Sequence, residues 1–233
     1  MLRPEPRDGF WHLLSGFDQS ALSDLGRFSS FPAGATMCLE GEPTTHLFVL
    51  VSGWVKIVSV TRDGQEVVLA LRGNGDIIGE IAGEATGHRT ATARTIGRVR
   101  SLIVTHDEFD SFLDTHTRAD RAYRHVVTQR LNEASAALLW RSTSNGAQRL
   151  AGLLVDLANR YGMQKAGALE VEMPLSQEGL ASLAGTSRAT MARALTGWRR
   201  RGLVRTGYRH ITIIDIDELQ KIARRLDLAT VAR

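Results

Sequence analysis

Apolar side chains at Phe10, Leu13, Leu14, Phe17, Leu22 and Leu25 recur at helical intervals, which predicts short amphipathic helices within residues 10–29. Residues 31–105 change character. Segments such as HLFVLVSGWVKIVSV (46–60), EVVLALR (66–72) and RVRSLIVT (98–105) are short, apolar and rich in β-branched residues. Gly-containing turns separate them at 32–34, 40–43, 52–53, 62–64 and 72–76. Several short strands at such spacing predict an antiparallel sandwich or barrel.

From Thr105 the period is helical again. A short helix is expected over His106–Phe112 and a long one from about Thr117 to Ser142. In the long helix Val127, Leu131, Ala134 and Leu138 step by four, three and four residues, the spacing of a coiled-coil seam about two heptads long. The other reading of these four residues is a helix packed on its own domain. The polar opposite face (Gln129, Arg130, Asn132, Glu133) favours the seam. Residues 147–161 (AQRLAGLLVDLANRY) predict a further helix, 162–168 a connection and Leu169–Met173 a strand.

Two short helices then follow, Ser176–Ala184 and Ser187–Arg199, joined by Gly185-Thr186. Ser176 and Ser187 each stand where an N-cap oxygen satisfies free backbone N–H groups. A tight Gly turn between two short helices is the mark of a helix-turn-helix. Leu180, Leu183, Met191, Leu195 and Trp198 are its expected core. Val204–Arg205 and Ile211–Ile214 predict a β-wing with Tyr208, Arg209 and His210 at or near its tip.

Charge adds a division. Residues 1–139 carry 14 Lys/Arg against 17 Asp/Glu, a balance of −3; residues 140–233 carry 15 against 8, a balance of +7. Residues 176–209 hold seven arginines and one acid, Glu178. This is either a solvated basic surface or a domain that faces a polyanion. In the second reading Arg188, Ala189, Thr190 and Arg193 lie at the groove-entering start of the second helix, with Ser176, Gln177 and Ser187 beside them. Arginine there can bind guanine O6 and N7 in bidentate fashion. Arg199, Arg200 and Arg201 lie past the groove, where phosphates run.

Upstream, Gly79-Glu80-Ile81 and Arg89-Thr90 flank a Gly-rich stretch. Backbone N–H groups and a permanent guanidinium there can cradle a phosphate, with Glu80 an acceptor for a ribose hydroxyl. On charge pattern alone a surface Glu–Arg pair is the simpler reading. The single cysteine, Cys38, excludes an intramolecular disulfide and any all-cysteine zinc or iron–sulfur site within the chain, and it fits a small buried apolar residue. His46, His88 and His106 are expected in loops, so no metal or haem is expected. No apolar run approaches the ~20 residues of a membrane span. Acids and prolines at residues 1–9 do not suit a signal peptide, so a reducing cytoplasm is expected.

Three segments together resemble the Crp/Fnr family of bacterial regulators: SQEGLASLAGTSRATMARAL (176–195) its winged helix-turn-helix, FPAGATMCLEGEPTTHLFVLVSGWVKI (31–57) the opening of its cyclic-nucleotide barrel, and GDIIGEIAGEATGHRTATA (75–93) its phosphate cassette. The resemblance implies an α+β fold: a cyclic-nucleotide-binding jelly roll over 1–116, a dimerisation helix over 117–142 and a winged helix-turn-helix over 143–233. It implies that Glu80 takes the ribose 2′-hydroxyl, that Arg89 and Thr90 take the cyclic phosphate, that Arg130 pairs with the carboxylate, and that Ala134-Ser135 meets the base. The cassette is one residue shorter than in the family's enteric members. Ala134 lacks a hydroxyl, and Ala189 stands where a base-accepting glutamate is frequent. The implied ligand is cAMP ahead of cGMP, whose cassettes share Arg-Thr-Ala. The implied partners are a second copy of the chain, a palindromic DNA duplex and RNA polymerase. The alternatives are a regulator of the same fold that binds DNA without cyclic nucleotide or answers another ligand, and an enzyme controlled by a cyclic-nucleotide domain; the chain carries no nucleophile–base pair or Walker-type loop for the latter.

Overall fold

The structure is a computed structural model that describes residues 9–81, 87–172 and 174–224. These residues form two compact units that divide between Arg130 and Leu131.

The first unit starts with helices α1 (Phe10–Leu13) and α2 (Gly16–Leu25). Ser15 and Asp18 close a capping box at the start of α2: the Ser15 Oγ accepts from the Asp18 N–H and the Asp18 carboxylate from the Ser15 N–H. The helical pattern read to residue 29 stops at Leu25. Gly26 is extended, and a Cβ there would lie 2.6 Å from Leu102 Cδ1. Arg27, Phe28 and Ser29 belong instead to strand β1 (Arg27–Phe31), drawn in by pairing that runs from Arg27↔Ile103 to Phe31↔Val99.

Seven more strands follow: β2 (Thr36–Cys38), β3 (His46–Ser52), β4 (Val55–Val60), β5 (Glu66–Arg72), β6 (Ile77–Ile78), β7 (Thr92–Thr95) and β8 (Val99–Thr105). They make two antiparallel four-stranded sheets, ordered β1-β8-β3-β6 and β2-β7-β4-β5, in a jelly roll. Alternation explains why β3 is apolar throughout. Phe48 and Leu50 face Cys38, Val55 and Ala93 of the other sheet, while Leu47 and Val49 face the helices. Helix α3 (His106–Thr115) and the start of α4 (Thr117–Thr143) cover that outer face. Phe10, Phe109, Phe112, Ala119, Tyr123 and Val126 are buried there with Leu102 and Val104. Each large side chain so buried contributes about 1.5–3 kcal/mol.

The second unit holds α5 (Gly146–Tyr161), β9 (Met163–Lys165), β10 (Ala168–Glu172), α6 (Gln177–Leu183), α7 (Arg188–Arg200), β11 (Val204–Gly207), β12 (His210–Ile213) and α8 (Ile216–Arg224). The expected strand over Leu169–Met173 is β10, and its Met173 lies outside the described residues. The stretch read as a plain connection contains β9, which pairs with β10 through Met163↔Glu170. The sheet order is β11-β12-β10-β9. Leu150, Leu154, Leu157, Leu180, Met191 and Trp198 form part of the core, while Leu183 and Leu195 are half-buried.

Candidate functional site

A cavity of about 100 Å³ lies in the first unit. Gly79, Glu80, Ile81, Arg89, Thr90 and Arg130 all line it. Of the cassette read from sequence, residues 82–86 lie outside the described residues. Gly79 has φ +94°, a conformation that favours glycine, and a Cβ there would crowd the Arg89 guanidinium. Glu80 is 4% exposed; its carboxylate is ion-paired with Arg130, whose Nη2 also donates to the Ile77 carbonyl at 2.5 Å. Charge pattern alone favours a surface Glu–Arg pair; the pair is buried, and the partner of Glu80 is Arg130, the residue that the family resemblance implies.

Arg89 is 4% exposed. Its Nη2 donates to the His46 carbonyl at 2.7 Å, and its Cζ stands 5.4 Å from the Phe48 ring centre. Its Nη1 is buried with no hydrogen-bond partner among the described residues. Burial holds the Arg89 pKa below its ordinary value, partly offset by Cys38 and Glu42. A buried guanidinium with an unused donor, facing a cavity, suits an anion. Thr90 and Ile81 are exposed at the same cavity.

Cys38, Ile57 and Arg72 also line the cavity and were missed from sequence. The register explains two of them: Cys38 and Ile57 both pair with Ala93, which sets the three in a row across one sheet. Burial pushes the Cys38 thiol up, with Arg89 partly opposing. His46 and His106 are not loop residues; they open β3 and α3, and His106 Nε2 lies 3.1 Å from Thr44 Oγ1. Burial, then Arg89, lowers the pKa of both.

In the second unit both predicted caps form. The Ser176 Oγ accepts from the Gly179 N–H at 3.1 Å, and the Ser187 Oγ accepts from the Thr190 N–H at 3.1 Å. Gly185 has φ +58° in the turn between α6 and α7. Arg149 of α5, which sequence reasoning missed, donates to the Gly185 carbonyl at 2.6 Å and the Ala184 carbonyl at 3.3 Å. Gln177, Arg188, Ala189, Arg193, Arg199 and Arg200 are exposed, as are Ser176 and Ser187, and Thr190 is half-buried. Arg193 donates to Thr190 Oγ1 at 3.4 Å, and Arg199 to Thr206 Oγ1 at 3.3 Å. Arg201, grouped from sequence with the phosphate-facing arginines, is ion-paired with Glu218 at 2.8 Å.

Residues 28–116 match the model of the cyclic nucleotide-binding domain, and residues 148–222 that of the Crp-like helix-turn-helix domain. A "CRP-like cAMP-activated global transcriptional regulator" of Mycobacterium tuberculosis is 33% identical over 215 residues, 91% of this chain and 96% of that protein. The chain belongs to the Crp/Fnr family. A second Crp/Fnr relative, the "Cyclic AMP receptor protein" of Thermus thermophilus, is 28% identical over 83% of this chain and 86% of its own. The fold agrees with that of FixK2 from Bradyrhizobium japonicum, at a TM-score of 0.75 over 86% of this chain and 98% of the other, with 19% identity. This Crp/Fnr chain is thus a DNA-binding transcription regulator with a cyclic nucleotide-binding domain, not an enzyme. Among the described residues no helix is long and apolar enough to cross a membrane.

The long helix α4 of this Crp/Fnr regulator changes character along its length. Ala119, Ala122, Tyr123 and Val126 are buried, and Val127 packs partly against the same core. Further on, Leu131, Leu138 and Leu139 are 67%, 70% and 60% exposed, and Ala134 and Ser135 are exposed too. The two readings of the sequence pattern therefore divide the helix: Val127 packs on its own domain, while Leu131, Ala134 and Leu138 do not.

Proposed function

We propose that this regulator is a homodimer whose DNA binding is controlled by a cyclic nucleotide, cAMP ahead of cGMP. The observation that carries the reading is Arg89, buried beside a cavity with an unused Nη1 donor. Arg89 and Thr90 hold the cyclic phosphate against the Gly79 turn, Glu80 accepts from the ribose 2′-hydroxyl, Ile81 borders the sugar, and Arg130 keeps the Glu80 carboxylate oriented. Ser135 meets the base. The two relatives named for cAMP support that nucleotide.

Leu131, Ala134 and Leu138 form the dimer seam, with Val127, half-buried against its own domain, at its start; exposed leucines at heptad spacing support it. Two copies of α7 then enter successive major grooves about 34 Å apart on a palindromic site. Arg188, Ala189, Thr190 and Arg193 face base edges, while Ser176, Gln177, Ser187, Arg199 and Arg200 face the backbone. RNA polymerase is the partner on promoters, and the cytoplasm is the compartment. The nucleotide shifts the DNA-binding equilibrium by its differential affinity for the two states of the dimer.

The test is calorimetric titration with cAMP and, separately, cGMP, followed by DNA binding at fixed salt with and without each. Micromolar or tighter binding of cAMP with a matching gain in DNA affinity is expected. Tighter binding of cGMP overturns the choice of base; failure of both, with DNA bound regardless, overturns control by nucleotide.

A further inference from the structure

Arg89 divides its donors. Nη1 is unused, while Nη2 donates to the His46 carbonyl at 2.7 Å. That carbonyl lies 3.2 Å from a second donor, the Thr44 hydroxyl, and Thr44 Oγ1 lies 3.1 Å from His106 Nε2. Thr44, His46 and His106 are half-buried. The segment that carries Thr44 is tied to Arg89 along its backbone. The Gly41 N–H donates to the Arg89 carbonyl and the Arg89 N–H to the Glu42 carbonyl, both at 2.8 Å, and the Thr44 N–H to the Gly87 carbonyl at 2.9 Å. His106 is fixed as well, its N–H donating to the Thr45 carbonyl at 3.1 Å.

A threonine hydroxyl has one hydrogen, so the proton on His106 sets the direction of this chain. Charged His106 carries hydrogen on both ring nitrogens. Its Nε2 then donates to Thr44, and the hydroxyl hydrogen goes to the His46 carbonyl. Neutral His106 with its hydrogen on Nδ1 lets the hydroxyl turn to Nε2 and leaves the carbonyl to Arg89. Charge acts in the same place. Burial, then Arg89, lowers the His106 pKa, against Asp110 and Asp107 of its own helix. His46 is the neighbouring titratable group on β3, and Glu42 acts on Arg89. An anion at Arg89 offsets the repulsion that a proton on His106 meets.

We propose that Thr44 and His106 are positioning residues for Arg89, and that a cyclic nucleotide bound at Arg89 brings a proton onto His106. The His46 carbonyl is then shared with Thr44, and Nη2 is freer to join Nη1 on the phosphate as a two-pronged donor. The bound state holds a proton that the free state at the same pH does not, so affinity rises as the pH falls. The free pKa lies below the ordinary histidine value, so the effect grows below about pH 7 and vanishes well above it. This inference rests on the reading of Arg89 as the phosphate-binding residue.

The experiment titrates the full chain by calorimetry with whichever of cAMP and cGMP binds more tightly. Each pH is measured in two buffers of different ionisation enthalpy; the nucleotide itself keeps one charge throughout. Wild type is expected to bind at least about threefold more tightly near pH 6 than near pH 8, with heats that differ between buffers and report proton uptake. His106→Gln keeps a donor for Thr44 but cannot titrate, and is expected to lose most of both effects. Thr44→Val is expected to reduce the uptake and Thr44→Ser, which keeps the hydroxyl, to restore it. A purely structural role would instead shift affinity equally at every pH. Wild-type binding without proton uptake overturns the proposal and leaves the pocket assignment standing. So does a pH dependence that survives His106→Gln and disappears in His46→Gln. If neither nucleotide binds at any pH, the pocket assignment falls and the proposal with it.

Discussion

Replacing Arg130 by methionine removes one member of a buried ion pair and leaves the other in place. The side chains are 10% and 3% exposed for Arg130 and Glu80. The screening that reduces surface pairs to about 0–1 kcal/mol therefore has little purchase. The variant must either bury an uncompensated carboxylate or protonate it, and it also loses the bond to the Ile77 carbonyl. Breaking such pairs costs about 3–5 kcal/mol. For a unit of this size roughly 3 °C of melting temperature accompanies each kcal/mol, so a loss of about 10–15 °C is expected. Glu80→Leu with Arg130→Met replaces both charges by apolar groups and is expected to recover most of that loss. Calorimetric melting and urea titration of wild type, both single variants and the double variant complete the cycle. A cost below about 1 kcal/mol for Arg130→Met, or single effects that add within about 0.5 kcal/mol, would show that the pair is solvated and refute the reasoning.

Four further outcomes are expected. Arg89→Ala loses the Nη2 bond to the His46 carbonyl and the contact with Phe48, so a drop in melting temperature is expected, and nucleotide binding weakens about 30-fold or more by calorimetry; unchanged affinity refutes the pocket assignment. Arg188→Ala relaxes base preference in competition binding, whereas Arg200→Ala weakens cognate and random DNA alike and lowers the salt slope by about one unit; identical behaviour of the two contradicts the division. Leu131→Glu with Leu138→Glu places like charges along the seam and shifts the protein to monomer in sedimentation; a persisting dimer sinks that seam. His46 has its folded pKa lowered by burial, then by Arg89 and His106, so the unfolded chain takes up a proton first as the pH falls. Its stabilising share is present above about pH 6.5 and is lost as the pH falls through the folded value. Denaturant titrations below pH 6.5 should show a shallower decline for His46→Gln, and an identical decline excludes this group.

The sequence made some elements legible because their signals are local. The Ser176 and Ser187 caps, the Gly185 turn and the spacing of the apolar residues all lie within a few residues of what they determine, and α6 and α7 follow from them. Strands β2, β6 and β7 escaped because they are three, two and four residues long, too short for any periodicity. They exist through pairing, as Ile77↔Val49 and Thr36↔Arg94 show. The same holds in the pocket. Gly79, Glu80 and Arg89 stand out as residue types, but Cys38 and Ile57 reach the cavity only through strand register. Arg149 is 36 residues from the turn it holds, and nothing near it in sequence points there.

Arg130 marks where α4 changes from a buried helix to an exposed one. On its N-terminal side Ala119, Ala122, Tyr123 and Val126 are sealed against the jelly roll. The next residue, Leu131, is two-thirds exposed, and the leucines beyond it stay so. The side chain at that position is the one that enters the pocket and binds the Glu80 carboxylate. Tyr123 adds a weaker hold about two turns earlier, its hydroxyl donating to the Glu80 carbonyl at 3.4 Å. A ligand hydroxyl that bonds to Glu80 competes for the lone pairs that hold Arg130, and so acts on the residue from which the exposed half of the helix departs. On the proposed function, coupling through this pair needs no long chain of contacts, because the Glu80 carboxylate and the helix meet in one ion pair. Arg130→Lys, which keeps the charge but loses the fork that reaches both Glu80 and the Ile77 carbonyl, should therefore reduce the gain in DNA affinity on adding nucleotide more than it reduces nucleotide binding. Equal losses in both would place the coupling elsewhere.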